Sequence, residues 1–190
     1  MSPRKTLLLA FGLILIVIVS GWFTERARQV VAGGDEGGAV AVTGETAPDF
    51  SLKNVAGQSV RLSDYRNKKA VVVAFWASWC LPCQYELPSI QSFYQKNRGS
   101  DVEVLAVSID HDPAAARGYA ESNKLPFPVL LDSREEVATR YLVNEIPAVF
   151  VIDRGGTLES VHRGLSPGLE ATLTAEVRGN AGAPPGQTGQ

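Results

Sequence analysis

The chain is 190 residues long, 45% hydrophobic and 20% charged, with a formal net charge of −2. That length suits one domain with appendages, and the near-even balance of 18 Lys+Arg against 20 Asp+Glu excludes a basic footprint for nucleic acid. Two cysteines are too few for a disulfide-stapled scaffold or a four-thiolate metal site, and they stand together as Cys80 and Cys83.

Residues 7–23 are uncharged and follow Arg4 and Lys5. As a helix rising about 1.5 Å per residue they span roughly 26 Å, enough for a bilayer core. A cleaved signal peptide is the rival, but its apolar region is shorter, about 7–15 residues, and ends at a small-residue site. Here the run closes on Gly21-Trp22-Phe23, so residues 1–24 are expected to be an N-terminal membrane anchor rather than a cleaved signal. Basic residues flank the run on both sides, Arg4 and Lys5 before it and Arg26 and Arg28 after it, so charge leaves the orientation open. Residues 25–46 are polar and glycine-rich, which predicts a flexible linker. Residues 47–178 are the expected folded domain, and the Gly- and Pro-rich residues 179–190 an expected disordered tail.

Within 47–178 the pattern alternates. Residues 49–52 and 59–62 flank Gly57 and predict a hairpin. Residues 70–76 are continuously apolar, as a central strand buried on both faces requires. Leu87, Ile90 and Tyr94 recur at helical spacing, predicting a helix from the cysteines to about Asn97. A second apolar strand is expected over 102–109. Asp112-Pro113 then supplies a cap followed by proline at the first helical position, opening a helix to about Asn123. A strand over 127–131 and a helix over 133–141 follow. Residues 148–152 and 157–161 are expected strands joined by the turn Asp153-Arg154-Gly155-Gly156, and Ser166-Pro167 is expected to cap a last helix to about Arg178. Strands alternating with helices and ending in a hairpin imply an α/β domain, a mixed central sheet flanked by helices.

The buried strand ends and the next helix begins at Cys80. A thiol there faces unpaired N–H groups and the positive end of the helix dipole, which stabilise its thiolate. Only the thiolate attacks a disulfide, so Cys80 is the expected nucleophile and Cys83, one turn on, the resolving thiol. Pro82 suits a first helical turn, where its missing N–H costs nothing. Half a zinc site is the competing interpretation, but His111 and His162 are isolated, the one read as a solvated loop residue and the other as an exposed strand residue. An inert structural disulfide gains little from closing so short a loop. No metal and no cofactor are expected, because the dithiol itself carries the electrons.

The segment Phe75-Trp76-Ala77-Ser78-Trp79-Cys80-Leu81-Pro82-Cys83 resembles the active site of the thioredoxin superfamily. Ala47-Pro48-Asp49-Phe50, Phe127-Pro128-Val129-Leu130-Leu131-Asp132 and Ile146-Pro147 narrow the resemblance to its TlpA/ResA-like branch, related to AhpC/TSA proteins. That branch contains membrane-anchored extracytoplasmic thiol–disulfide oxidoreductases, including those serving cytochrome c maturation. The resemblance implies a thioredoxin-like fold with an N-terminal hairpin and an inserted helix–strand unit. It implies a redox-active Cys80–Cys83 disulfide, a cis Pro147 after Ile146 that faces the sulfurs, and Glu86 as an acid beside them, with Trp79 and Pro82 supporting the site. It further implies disulfide-containing protein substrates such as apo-cytochrome c, a membrane thiol electron donor, and a single-pass protein whose C-terminal domain is extracytoplasmic, periplasmic in a diderm bacterium. The same chemistry in the cytoplasm would duplicate soluble thioredoxin. The expected reaction is reduction of substrate disulfides through a mixed disulfide.

The sequence departs from the relatives at two positions. Ala74 stands where thioredoxins proper carry a buried aspartate, which leaves Glu86 as the acid for proton traffic to Cys83. A negative charge there also raises the thiol pKa. Ala148 stands where many relatives have threonine, which bears on partner preference. The alternatives are a disulfide-donating oxidant, a thiol peroxidase, and a tethered module that holds a thiol protein. The peroxidase reading lacks the family's supporting threonine and proline, since those positions hold Ala77 and Val73.

Overall fold

The structure is a computed structural model and describes residues 40–180. The expected membrane anchor, residues 1–24, lies outside the described residues, as do most of the expected linker and tail. The domain begins before Ala47. The Ala41 amide donates to the Arg140 carbonyl, the Gly44 amide to that of Leu158, and Thr46 bridges Thr157, so the linker expected over 25–46 ends short of its predicted boundary.

The strands are β1 (Ser51–Asn54), β2 (Ser59–Arg61), β3 (Ala70–Trp76), β4 (Val102–Ser108), β5 (Val129–Leu131), β6 (Ala148–Ile152) and β7 (Leu158–Arg163). The helices are α1 (Leu81–Asn97), α2 (Pro113–Ser122), α3 (Glu136–Arg140) and α4 (Leu169–Asn180), with a 3-10 turn at Leu62–Tyr65. One sheet of order β2-β1-β5-β4-β3-β6-β7 holds all the strands. β3, β4 and β5 run parallel to one another, while β6 pairs antiparallel with β3 and β7 with β6, so the sheet is mixed as the alternation implied.

β3 explains the layering. Its seven residues are all buried, and successive side chains face opposite sides of the sheet. Val72, Ala74 and Trp76 pack with Leu87, Ile90 and Phe93 of α1 and Leu169, Leu173 and Val177 of α4. Val71, Val73 and Phe75 pack on the other face with Leu62, Val137, Ala138 and Tyr141. Across that face the Tyr141 hydroxyl donates to the Pro48 carbonyl at 2.8 Å, tying the Ala-Pro-Asp-Phe segment to the end of α3.

Three of the predicted elements that differ from those observed do so for a local reason. The strand expected over 127–131 shortens to Val129–Leu131, while Phe127 turns into the core against the Tyr94 ring, 5.7 Å between centroids. The helix expected over 133–141 shrinks to Glu136–Arg140, because the buried Asp132 carboxylate captures the Val137 and Ala138 amides and Glu135 adopts a left-handed φ of 56°. The last helix starts at Leu169 rather than at Ser166-Pro167: Gly168, at φ 77°, breaks the chain direction, and the Ser166 amide is committed to Glu86.

Candidate active site

β3 ends at Trp76, and residues 77–79 turn the chain into α1. Cys80 is the helix N-cap in extended conformation (φ −84°, ψ 100°), and its sulfur accepts the Cys83 amide at 3.2 Å. Pro82 lies in the first turn, where no backbone donor is needed, and no acidic residue in that turn offsets the helix dipole. Cys80 and Cys83 are joined as a disulfide. Cys80 retains 5% exposure and Cys83 none, so an incoming group reaches the first sulfur and not the second.

The loop before β6 closes over Cys80. The Ile146–Pro147 peptide is cis, and the Ile146 carbonyl oxygen lies 3.8 Å from Cys80 Sγ. The Pro147 carbonyl accepts the Gly164 amide at 2.8 Å, which brings Leu165 to the same end of the sheet. Trp79 and Leu81, which flank Cys80 in the chain, are 67% and 57% exposed, and Tyr85, one turn beyond Leu81, is 67% exposed, an apolar rim that the core does not use. The sequence pointed to Trp79; Tyr85 and Leu165 were missed, although Tyr85 stands outside the apolar stripe of Leu87, Ile90 and Tyr94.

Asp110 was also missed. It is buried just past the end of β4, and its carboxylate accepts the Ser78 amide (2.9 Å), the Ser78 hydroxyl (2.7 Å) and the Ser108 hydroxyl (2.8 Å). Gln84 Nε2 donates to the Ser78 carbonyl at 2.8 Å, so both faces of the turn into Cys80 are held by side chains. The available signal was position alone, since the carboxyl ends of parallel strands are where α/β sheets place their sites.

Glu86 lies one helical turn beyond Cys83 on the same face of α1. It is not a surface glutamate, being 3% exposed. Its Oε1 accepts the Ser166 amide at 3.0 Å, and Oε2 is buried without a hydrogen-bond partner among the described residues. Burial pushes its carboxyl above the usual range, opposed by the Ser166 amide and by the charge of His162. His162 departs from the exposed position expected of it: it is half-buried, with Nε2 3.1 Å from Glu176 Oε2. His111, by contrast, is exposed. The histidines lie on different elements, and the described residues contain no cluster of His, Cys, Asp and Glu able to hold a metal ion.

Residues 43–161 match the model of the AhpC/TSA family. The chain belongs to that family. It is 35% identical over 171 residues to the thiol–disulfide oxidoreductase ResA of Geobacillus kaustophilus, covering 86% of this chain and 91% of the relative. Among solved structures it is similar to a DsbE-type thiol:disulfide interchange protein from Chlorobium tepidum (TM-score 0.69, 30% identity, 75% of this chain and 99% of that one). It is likewise similar to StoA from Bacillus subtilis (TM-score 0.58, 27% identity, 70% of this chain and 97% of that one). This AhpC/TSA-family chain is therefore a thiol–disulfide oxidoreductase with a thioredoxin-like fold, and it carries a Cys80–Cys83 disulfide.

Proposed function

We propose that the protein reduces disulfides of extracytoplasmic proteins. The observation that carries the reaction is the asymmetry of the two sulfurs: Cys80 at the helix N-cap within an exposed apolar rim, Cys83 fully buried beside Glu86. The Cys80 thiolate attacks a substrate disulfide, forming a mixed disulfide and releasing one substrate thiolate. Cys83 gives its proton to Glu86 and attacks Cys80 Sγ, releasing the second substrate thiolate and closing the Cys80–Cys83 bond. Two electrons pass to the substrate, whose thiolates then take their protons from Glu86 and from solvent, and a membrane thiol donor returns the electrons. The Glu86 carboxylate disfavours a second negative charge on the thiols, and a dithiol whose reduced form is less stabilised is the better reductant.

Residues 1–24 would tether the domain, with the catalytic end outside the cytoplasm and apo-cytochrome c among its substrates. The uncharged run 7–23 behind Arg4 and Lys5 supports the tether. A membrane-impermeant thiol reagent applied to spheroplasts tests the placement: labelling of Cys80 supports it, and labelling only after lysis overturns it.

Cys83→Ser is expected to trap a mixed disulfide between Cys80 and substrate, and its absence would sink the mechanism. A reduction potential near or below about −220 mV supports the reductase reading. A value near about −120 mV would make the protein a disulfide donor instead.

A further inference from the structure

Ala77-Ser78-Trp79 carries the chain from β3 to Cys80 with no glycine or proline to shape the turn. The Cys80 amide donates to the Ala77 carbonyl at 3.2 Å, and the side chains that fix the turn converge on Ser78. From the sheet, Asp110 accepts its amide at 2.9 Å and its hydroxyl at 2.7 Å. From the helix, Gln84 Nε2 donates to its carbonyl at 2.8 Å, while the Gln84 amide donates to the Cys80 carbonyl at 3.1 Å. The amide, hydroxyl and carbonyl of one residue are thus all taken by side chains, on opposite sides of the turn. Asp110 is 2% exposed, and a carboxylate kept from water is costly unless its oxygens are satisfied. Bonds to a charged acceptor in such surroundings are also stronger than bonds in water.

We propose that Asp110 and Gln84, gripping Ser78 between them, hold Cys80 in the N-cap geometry in which its thiolate keeps the Cys83 amide, and so set the acidity of the attacking thiol. The inference rests on Cys80 being that thiol. At φ −84° and ψ 100°, Cys80 places Sγ 3.2 Å from the Cys83 amide and 3.8 Å from the Ile146 carbonyl oxygen. The first neighbour stabilises a thiolate and the second, with its partial negative charge, disfavours one. A turn free to rotate exchanges the one for the other. No hydrogen bond joins Asp110 or Gln84 to a sulfur; both are positioning residues acting through Ser78. The titratable side chains on the elements around Cys80 are Cys83, Tyr85 and Glu86 of α1, Asp110 past β4, Glu145 before Ile146 and His162 of β7. Ser78→Ala and Gln84→Ala leave every one of them in place, so these variants change the grip and not the charge.

The test uses the reduced full-length chain in detergent, carrying Cys83→Ser so that a single exchange occurs, mixed with an aromatic disulfide whose released thiol absorbs visible light. The rate against pH gives the midpoint of Cys80 ionisation. Adding Ser78→Ala and Gln84→Ala together is expected to move that midpoint up by about one pH unit. Tenfold less thiolate is offset in part by its greater nucleophilicity, so the rate below both midpoints falls about threefold and the high-pH plateau rises about threefold. Gln84→Ala alone should shift the midpoint in the same direction, and it stands in for the pair if that variant melts early. Ser78→Thr keeps the hydroxyl donor and should retain the original midpoint; a shift as large as that of Ser78→Ala would assign the effect to packing and overturn the inference. A lowered melting temperature with an unmoved midpoint would also overturn it, leaving the grip purely structural. If the Cys83→Ser chain releases no thiol at any pH, the reading of Cys80 as the attacking thiol falls; if it releases thiol and the midpoints coincide, only the inference falls.

Discussion

Asp110→Ala removes the acceptor that joins the ends of β3 and β4 to the turn into Cys80. Three donors lose their partner: the Ser78 amide, the Ser78 hydroxyl and the Ser108 hydroxyl. Ser108 is fully buried, so water cannot replace the carboxylate there, whereas Ser78 is half-buried and is partly rescued by solvent. At about 1.5 kcal/mol for the Ser108 hydroxyl and about half that for each of the two Ser78 donors, the loss comes to about 3 kcal/mol. A domain of this size shifts by about 3–4 °C per kcal/mol, which puts the expected fall in melting temperature near 10 °C. Asp110→Asn keeps one oxygen for Ser78 and should lose about half as much. Thermal unfolding by circular dichroism of oxidised protein measures both. A fall of under about 3 °C for Asp110→Ala would refute the reasoning, because the carboxylate would then be replaceable and the turn held by Gln84 and the disulfide alone.

Burial raises the Glu86 carboxyl, so the folded state keeps that proton where the unfolded chain has released it. The resulting destabilisation is absent below the ordinary carboxylate range and complete above the raised value. Glu86→Gln should therefore melt higher than wild type at pH 8, by about 1 kcal/mol of stability, with the gap closing as the pH falls through the carboxylate range. A pH-independent gap in melting curves would contradict this. Tyr141→Phe should cost about 1–2 kcal/mol by leaving the Pro48 carbonyl unpaired, measured by urea unfolding, with the reduction potential unmoved; a shifted potential would link that clasp to the site. Trp79→Ala should raise KM for a protein disulfide several-fold while leaving the melting temperature and the rate with a small aromatic disulfide unchanged, since the ring is exposed beside Cys80. Equal effects on both substrates would show that the rim does not bind protein.

Periodicity and punctuation made much of the fold legible. The apolar run 70–76 could only be a strand covered on both faces, and Asp112-Pro113 opened α2 where expected, the Asp112 carboxylate accepting the Ala114 amide. Cys80 and Cys83 declared the chemistry because their spacing and their place at a strand-to-helix junction are local properties. Boundaries failed where the backbone left the helical region: Glu135 at φ 56° delayed α3, and Gly168 at φ 77° delayed α4 past the Ser166-Pro167 cap that the sequence suggested.

The sequence by itself determined the strand–helix order and the Cys80–Cys83 pair at a strand-to-helix junction, since each is written in a few consecutive residues. Tertiary structure decided everything that depends on burial across chain distance. It placed Asp110 under Ser78, drew Glu86 out of water, and brought His162 to Glu176 fourteen residues along the chain. Charge and hydrogen-bonding capacity are read from a residue's identity, but what they do is set by the solvent and partners left around it, and those are fixed only when the sheet and its helices close.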